Sequence, residues 1–302
     1  MDNSNGNASI LSSLSNQLAD AVERISPALV TVYGRQRLPS SGVVYKQGLV
    51  LTAEHAIERE EDLSIATHDG RKLAAQFVGR DPSSDLAVLR VQDLNVEPAQ
   101  SSGEARVGQL VLAVARPSED GPMASQGIVS AVGGPVRTGR GGMLEKYIRT
   151  DATPYPGFSG GPLIDTTGAV LGILTTGLAG GVALAVPTSI AWRVADTLTA
   201  HGRIKRGYLG ISSQPVYLPE AQRAGREQET GLMLVRVDKD TPAEQGGLLL
   251  GDILVALDSQ PVNDVDDLQA LLSGDRVGNP VPVEVIRGGQ VQTLTVTIGQ
   301  RD

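Results

Sequence analysis

The stretch Thr150-Asp-Ala-Thr-Pro-Tyr-Pro-Gly-Phe-Ser-Gly-Gly-Pro-Leu163 decides how the rest of this chain is interpreted. In this stretch Ser159 has glycines and prolines on both sides. Glycine adopts backbone conformations that other residues resist, so a turn here can direct the N–H groups of Gly157 and Ser159 at one point. Paired N–H donors of this kind stabilise an oxyanion. Ser159 is therefore a candidate nucleophile, although Gly-Ser-Gly alone also fits an ordinary turn between two strands.

The composition is typical of a soluble globular protein with room for two domains. The 302 residues are 40% hydrophobic and 20% charged, and 36 glycines with only 3% aromatic residues favour short strands and many turns. The net charge of −8 and the lack of a basic run argue against a nucleic-acid partner, because phosphate binding needs clustered Lys and Arg. The absence of cysteine excludes disulfides, a thiol nucleophile and thiolate metal sites.

The sequence has no recognisable targeting or transmembrane segment. No run approaches the roughly 18 apolar residues that a membrane-spanning helix needs. The first basic residue is Arg24, so the start lacks the basic region of a signal peptide. As it stands the chain is expected to be soluble and cytoplasmic; with an export signal already removed, it would be periplasmic or otherwise extracytoplasmic.

Short apolar runs separated by Gly, Pro, Asp and Ser predict a mainly β fold, either a sandwich or a barrel. An amphipathic helix is predicted from Ser9 to about Ser26, after a disordered start over residues 1–8. A second helix is predicted over residues 187–200, with Thr188 or Ser189 as its N-cap. The predicted strands of this region are residues 28–33, 42–45, 48–52, 86–91, 109–115, 125–132, 169–176 and 182–186.

The composition changes near His201-Gly-Arg-Ile-Lys-Arg-Gly207, which predicts a linker or a first exposed strand. Mixed short strands and helices in the last hundred or so residues predict a small, separate α+β domain. The predicted domains are residues 1–26, a tail with a short helix, then 27–202 and 203–302. The predicted elements of the last domain are strands at 231–237, 252–257, 281–287 and 291–298 and helices at 241–246 and 265–272.

Two motifs upstream of Ser159 supply a histidine and an aspartate. In Gly48-Leu-Val-Leu-Thr-Ala-Glu-His55, an apolar strand leads into a polar turn that carries the histidine. In Asp81-Pro-Ser-Ser-Asp85-Leu-Ala-Val-Leu-Arg90, Asp85 immediately precedes an apolar strand. Taken singly, the histidine fits a surface or capping residue and the aspartate fits a strand start. Together with Ser159 they follow the chain order His, Asp, Ser of a chymotrypsin-type catalytic triad.

These three motifs resemble those of the HtrA/Deg family of chymotrypsin-like serine proteases, and the resemblance covers roughly residues 20–300. It implies a pair of six-stranded β-barrels. It also implies that Ser159 is the nucleophile, that His55 is the general base and that Asp85 orients His55. The N–H groups of Gly157 and Ser159 would form the oxyanion hole. The resemblance implies no metal or organic cofactor.

The strands that follow the serine carry no charged residue in Gly172–Gly177 or Val182–Pro187. The resemblance assigns these strands to the substrate-binding edge and the wall of the primary pocket. We therefore expect small or medium aliphatic side chains at the cleavage position, rather than Lys or Arg. Most of these residues also fit ordinary barrel-core strands.

The last domain resembles a bacterial-type PDZ domain. Tyr208, Leu209, Gly210 and Ile211 resemble its carboxylate-binding loop, whose backbone N–H groups receive a peptide C-terminus while the edge strand accepts the peptide as an added strand. The implied partners are peptide C-termini or hydrophobic segments at this domain and unfolded or misfolded proteins as substrates. The family also implies a role in protein quality control under stress and a homotrimer.

Two departures from the family pattern keep a second function open. Phe158 stands where the family usually has asparagine, and Arg116 stands in a turn that is usually Gly-Asn-Pro. These changes motivate a pseudoprotease or chaperone-like scaffold in which the PDZ domain supplies the function. A metal-dependent hydrolase is disfavoured, because the three histidines, His55, His68 and His201, are far apart and form no zinc motif.

Overall fold

The computed structural model describes residues 4–36, 38–138, 143–178, 183–204, 206–223, 225–272 and 276–301. The chain divides into two compact units, residues 1–204 and residues 205–302. Strands dominate both units, which confirms the predicted mainly β fold. Among the described residues, no helix has the length and apolar character needed to cross a membrane.

The first unit begins with an amphipathic helix, α1 (Ser4–Ile25). Its C-terminal half packs against the hydrophobic core of the unit through side chains that include Leu18 and Val22. Leu11 is 67% exposed, so the predicted apolar face packs only along that half. The prediction of disorder is wrong for residues 4–8, which are helical. Once a helix is nucleated, each added residue gains a hydrogen bond, and this favours extension of the helix toward its N-terminus.

A closed antiparallel barrel of six strands follows, and aliphatic side chains fill its interior. Its strands are β1 (Leu29–Tyr33), β2 (Ser40–Lys46), β3 (Leu49–Ala53), β4 (Leu63–Ala66), β5 (Lys72–Asp81) and β6 (Leu86–Val91). Around the barrel their order is β1-β2-β3-β6-β5-β4, and β1 closes the ring by pairing with β4. This order places β3 beside β6.

The second barrel is also closed and has six strands, so the predicted pair of barrels is confirmed. The strands of this part are β7 (Leu110–Ala115), β8 (Met123–Gly133), β9 (Val136–Arg137), β10 (Met143–Leu144), β11 (Tyr147–Thr150), β12 (Pro162–Ile164), β13 (Val170–Thr175) and β14 (Leu184–Pro187). The barrel order is β11-β14-β13-β12-β7-β8, while β9 and β10 pair separately. Val182, the predicted start of the last strand, lies outside the described residues.

Helix α2 (Thr188–His201) packs against β5, β6 and β13. Its buried face includes Ala191, Ala195 and Leu198. The prediction that Thr188 or Ser189 caps this helix is wrong, because Pro187 is the N-cap and no side chain accepts a capping hydrogen bond there. Pro187 still has an extended backbone, with φ −53° and ψ 144°, so the strand passes directly into the first helical turn.

The second unit is a small sheet with short helices, as predicted for an α+β domain. Its elements are β15 (Arg206–Tyr208), β16 (Ile211–Tyr217), β17 (Thr230–Val237), α3 (Pro242–Gln245), β18 (Ile253–Leu257), β19 (Gln260–Pro261), α4 (Val265–Leu271), β20 (Pro280–Arg287), β21 (Gln290–Thr297) and β22 (Gly299–Arg301). The main sheet has the order β16-β17-β18-β20-β21, which leaves β16 at one edge. The sheet and α4 share a hydrophobic core that includes Leu232, Leu268 and Val283.

Candidate active site

His55 and Asp85 meet because the strands that carry them are neighbours. His55 lies in a 3₁₀ turn, Glu54–Ala56, directly after β3, and Asp85 lies directly before β6. The two strand ends pair through Ala53 and Leu86. His55 Nδ1 lies 2.6 Å from Asp85 Oδ2, and the backbone N–H of His55 donates to Asp85 Oδ1 at 2.9 Å. The structure thus brings the predicted base and its predicted orienting carboxylate into direct contact.

Asp85 is held by more than the histidine. Its side chain is fully buried, and its φ of 55° is a left-handed conformation that Asp tolerates better than most side chains. The hydroxyl of Thr175 donates to Asp85 Oδ2, and the backbone N–H of Glu54 donates to the Asp85 carbonyl at 2.9 Å. A buried carboxylate is costly unless it accepts hydrogen bonds, and the carboxylate of Asp85 is paired with the Thr175 hydroxyl, the backbone N–H of His55 and His55 Nδ1. They also fix the orientation of the carboxylate toward His55.

The segment before Ser159 is a type II turn. Pro156 occupies its second position and Gly157 its third, where φ is +86°. The N–H of Phe158 donates to the carbonyl of Tyr155 at 3.0 Å and closes the turn. Proline and glycine suit these two positions of a type II turn, so the local sequence accounts for the conformation.

The backbone N–H groups around the serine differ in whether they donate a hydrogen bond to another part of the chain. Those of Phe158, Gly160 and Gly161 each donate to a backbone carbonyl at 2.9 to 3.0 Å. Those of Gly157 and Ser159 have no acceptor within the part of the chain that the structure describes. The two N–H groups predicted to bind an oxyanion are therefore the two that are available.

Gly160 lets the serine loop approach the strand that leads to His55. A Cβ atom at Gly160 would lie 2.2 Å from the carbonyl oxygen of Ser41 and 2.8 Å from the backbone nitrogen of Ala53. The residue also has a φ of +86°, which side chains other than glycine rarely adopt. Only glycine fits here, and Ser159 is consequently placed beside the end of β3.

The hydroxyl of Ser159 is directed at a residue that sequence reasoning did not single out. Its Oγ lies 3.3 Å from Oγ1 of Thr176, and no hydrogen bond joins it to His55 in the described structure. The next residue, Gly177, reaches the other members of the site: a Cβ there would lie 2.8 Å from His55 Nδ1 and 2.6 Å from Asp85 Oδ2. The three predicted residues thus share one site in which the serine is turned toward Thr176.

Three further polar residues of the site were missed from the sequence. Thr175 ends β13 and Thr176 follows it directly. This pair of polar residues after an apolar run could have marked them as site residues. Ser41 gave no signal, because it lies in a serine-rich start of β2. Its Oγ donates to the carbonyl of Gly157 at 2.8 Å, and its N–H donates to the carbonyl of Ser159 at 3.2 Å.

The two departures from the family pattern are both buried. Phe158 is 1% exposed and packs in the core of the second barrel, with its ring 5.5 Å from that of Tyr155 in an edge-on arrangement. Arg116 is 4% exposed, and its guanidinium donates to Ser26 Oγ at 3.0 Å. Burial lowers the pKa of Arg116. Because the ring of Phe158 packs among the core residues of the second barrel, Phe158 anchors the serine loop there.

In the second unit, the predicted peptide-binding loop presents free backbone donors. The carbonyls of Leu209 and Gly210 each accept a hydrogen bond at 2.9 Å from later backbone N–H groups, and Gly210 has a φ of +83°. The N–H groups of the same two residues have no acceptor among the residues the structure describes. Tyr208 and Ile211 flank them in strands β15 and β16. The loop can therefore offer two N–H groups to a carboxylate.

These donors lie at the start of an open sheet edge. Strand β16 is at the edge of the main sheet, and α4 lies beside it. Ile211 on β16 and Val265 and Leu268 on α4 belong to one hydrophobic cluster. An edge strand beside a helix with apolar side chains is the arrangement that accepts an added peptide strand.

Comparison with known proteins decides the family. Residues 40–173 match the model of the trypsin-like peptidase domain, and residues 207–298 match that of the PDZ domain. Serine endoprotease DegS of Escherichia coli (strain K12) is 32% identical over 303 aligned positions, which cover 92% of this chain and 84% of DegS. The chain belongs to the HtrA/Deg family of serine endoproteases. The resemblance drawn from its motifs is thus confirmed.

Other HtrA/Deg proteins match over most of the chain. A probable periplasmic serine endoprotease, DegP-like, from Pseudomonas fulva (strain 12-X) is 35% identical over 88% of this chain, but the match covers only 57% of that relative. The chain thus spans little more than half the length of its DegP-like relatives. Among solved structures, the HtrA-type protease AlgW with a decapeptide has a TM-score of 0.79 at 30% identity and covers 94% of this chain and 99% of its own. A serine endoprotease from Yersinia pestis has a TM-score of 0.77 at 33% identity and covers 95% of this chain and 98% of its own.

Proposed function

We propose that this chain is a serine endopeptidase that cleaves unfolded or damaged proteins and so serves protein quality control under stress. One observation carries the proposal: a hydrogen-bonded His55–Asp85 pair, in which Asp85 is fully buried, lies in one site with a serine loop that has two available N–H donors. Membership of a family whose relatives are named serine endoproteases supports the same conclusion.

In the proposed reaction, Ser159 Oγ attacks the carbonyl carbon of the scissile peptide bond. His55 accepts the serine proton through Nε2, because its Nδ1 is engaged by Asp85. Asp85 holds the imidazole in this tautomer and stabilises the imidazolium that forms. His55 then returns the proton to the leaving amine, and an acyl-enzyme remains. Water, deprotonated by His55, hydrolyses this ester and regenerates the serine.

The negative charge of the tetrahedral intermediate falls on the former carbonyl oxygen. We assign its stabilisation to the N–H groups of Gly157 and Ser159. Loss of one such donor typically costs about two to three orders of magnitude in kcat. Both donors are backbone groups, so neither is supplied by the side chain at position 158.

The proposed primary pocket favours apolar side chains. The residues that end β13 and form β14 carry no charge, so nothing in them pairs with a substrate Lys or Arg. We expect cleavage after small or medium aliphatic residues. Sequencing of the peptides released from a denatured protein tests this, and a profile dominated by cleavage after Lys or Arg would refute it.

The second unit is proposed to capture peptide C-termini or hydrophobic segments. A terminal carboxylate would accept hydrogen bonds from the N–H groups of Leu209 and Gly210, with Tyr208 and Ile211 beside them, and the peptide would extend along β16. By analogy with the family we also propose a homotrimer. Light scattering that gives the mass of a single chain would contradict the trimer.

The test of the proposed activity is degradation of casein, an unfolded protein, by the wild-type chain and by Ser159→Ala. The matched control is Ser130→Ala, which removes an exposed serine hydroxyl in β8, away from the serine loop. We expect degradation by the wild type and by the control and none by Ser159→Ala. Equal degradation by Ser159→Ala would contradict the proposal, and so would an inactive wild type in the presence of a hydrophobic C-terminal peptide.

A further inference from the structure

The backbone groups of β16 alternate between facing β17 and facing the open edge of the sheet. Just past the two strands, the N–H of Leu218 donates to the carbonyl of Glu229 at 2.7 Å, and these two residues lie opposite each other in the register of β16 and β17. In an antiparallel pair, hydrogen-bonded positions alternate with positions whose backbone groups point away from the partner strand. Counted back from Leu218, every second residue of β16 therefore points its backbone groups at the open edge. These residues are Ile211, Ser213, Pro215 and Tyr217.

Two hydrogen bonds at the other end of β16 give the same alternation. The carbonyl of Gly210 accepts from the N–H of Asp238 at 2.9 Å, so Gly210 faces β17 and the next residue faces the edge. Leu234, which lies opposite Ser213, donates to the carbonyl of Asp252 at 2.8 Å and so points away from β16. The register shift between these strands adds a residue to β17 alone, so it leaves the alternation along β16 unbroken.

Pro215 interrupts the row of hydrogen-bond donors along this edge. Ile211 and Ser213 each present an N–H and a carbonyl, whereas Pro215 presents only a carbonyl, because proline has no N–H. The proline ring also occupies the space into which an N–H would point. Proline is tolerated in a sheet where the missing N–H would face outward from an edge strand, and β16 is such a strand. A strand added to this edge can therefore pair with β16 only as far as Ser213.

The direction of β16 determines which peptide residue meets Pro215. β16 runs away from the loop that offers the N–H groups of Leu209 and Gly210, so a peptide whose carboxylate binds there runs antiparallel to it. Its last residue then lies opposite Ile211. Because facing positions recur every second residue, the third residue from the end exchanges two hydrogen bonds with Ser213, and the fifth lies opposite Pro215. The carbonyl of that fifth residue has no donor there and faces the proline ring, so this pair does not form.

We propose that Pro215 is a specificity-determining residue, which limits the peptide that the second unit recognises to its last four residues. The inference rests on the proposed capture of peptide C-termini and deepens it. Upstream of the fourth residue the peptide leaves the sheet edge, so the sequence there contributes little to affinity. The end of the peptide is expected to be apolar, because Ile211, Val265 and Leu268 belong to one hydrophobic cluster beside this edge. The partner is therefore a protein that exposes a short, apolar C-terminal tail.

The experiment is titration calorimetry with acetylated peptides of about four, six and eight residues. All end in Ser-Val-Val-Val with a free carboxylate, and the longer ones are extended with threonine, which favours an extended backbone. The full chain carries Ser159→Ala, so that no peptide is cleaved. We expect the peptides to bind with affinities within about twofold of one another, because no backbone hydrogen bond is gained upstream of the fourth residue.

Pro215→Ala restores the missing N–H and tests the limit directly. This variant should bind the octapeptide about three- to tenfold more tightly than the tetrapeptide, which is the gain expected from one net hydrogen bond. Its affinity for the tetrapeptide should match that of the chain that keeps Pro215. The matched control is Pro219→Ala, which removes an exposed proline that follows β16 and has a φ of −55°. The control should show no dependence of affinity on peptide length.

The outcomes separate the inference from the function on which it rests. If the chain that keeps Pro215 binds the octapeptide at least about fivefold more tightly than the tetrapeptide, the inference is overturned and peptide capture stands. A folded Pro215→Ala without length dependence would overturn it equally; if that variant does not fold, the series on the chain that keeps Pro215 decides. If no peptide binds, or if an amidated octapeptide binds as tightly as the free acid, the proposed carboxylate capture fails and the inference fails with it.

Discussion

The hydroxyl of Ser159 lies 3.3 Å from the hydroxyl of Thr176, while Nδ1 of His55 lies 2.6 Å from Oδ2 of Asp85. The histidine and aspartate are thus already paired with each other, whereas the serine hydroxyl is paired with Thr176 instead of with His55. Rotation about one side-chain bond moves a serine hydroxyl between staggered positions. The proposed reaction therefore requires Ser159 to exchange Thr176 for Nε2 of His55 when substrate binds.

Thr176→Val tests this exchange. Valine has nearly the shape of threonine but lacks the hydroxyl, so Ser159 loses the competing partner. Because a neutral hydrogen bond of this kind is worth about 0.5 to 1 kcal/mol, kcat/KM should rise by roughly two- to fivefold. Steady-state kinetics on a peptide substrate measure the change, and Thr166→Val is a control outside the site. A tenfold loss would instead mean that Thr176 assists the reaction.

Asp85→Asn should abolish most of the activity without unfolding the chain. An amide at this position favours the wrong tautomer of His55 and cannot stabilise the imidazolium, so kcat should fall by about three to four orders of magnitude. Asn tolerates the left-handed backbone at position 85 as well as Asp does. Asp62→Asn, an exposed site with a φ of 52°, is the matched control and should keep full activity. Activity of Asp85→Asn near the wild-type level would remove Asp85 from the mechanism.

Asp165 should make the stability of the first unit depend on pH. Burial raises the pKa of this carboxyl, but hydrogen bonds donated by Ser102, Thr167 and Ala169 outweigh that effect and hold the pKa below its usual value. The stability it contributes is therefore present above the unfolded pKa of about 3.9 and is lost as the pH falls through the lower folded pKa.

Urea unfolding of the wild type and of Asp165→Asn, followed from pH 7 to pH 3, measures this contribution. At pH 7 the variant should be less stable by roughly 1 to 3 kcal/mol, because a charged acceptor is lost. The difference should shrink as the pH falls below about 4. A difference that stays constant over the whole range would show that ionisation of Asp165 contributes nothing to stability.

Gly210→Ala should weaken peptide binding by the second unit. A Cβ at Gly210 would lie 2.3 Å from Cβ of Thr241, so the loop that offers the two N–H donors must move. Gly278→Ala is a matched control, since Gly278 has a similar φ of +87° but no atom within 4 Å of the added Cβ. Titration calorimetry with a C-terminal peptide should show at least about a tenfold loss in affinity for Gly210→Ala, because the carboxylate loses aligned donors. Equal affinities for the two variants would place the carboxylate elsewhere.

The candidate site residues were easier to single out from the sequence than the elements around them. His55, Asp85 and Ser159 stand in local motifs that need no knowledge of distant contacts. Strands β4 and β5 were missed, because polar residues such as Ser64, Lys72 and Gln76 interrupt their apolar pattern and only the barrel pairing reveals them. In the same way, a helix cap at Thr188 was favoured by residue type, whereas the preceding strand determines where that helix begins.

The contacts that hold the serine loop could not be read from the sequence. Ser41 is more than a hundred residues from Gly157, and its hydrogen bond to that carbonyl depends on the closure of both barrels. The burial of Phe158 was equally hidden, because a bulky residue beside a serine can face either the solvent or the core. The oxyanion donors were predicted from the glycines, but their supporting contacts required the three-dimensional structure.

The most direct test of the central claim is to map a fluorophosphonate adduct by mass spectrometry. On the wild type we predict one adduct per chain, located on Ser159, because among the serines that the structure describes it alone has the His55–Asp85 pair and two available N–H donors beside it. His55→Ala should lower the labelling rate by at least about a hundredfold, because the general base is lost. An adduct on another residue, or an unmodified Ser159 in a folded wild-type chain, would contradict the account.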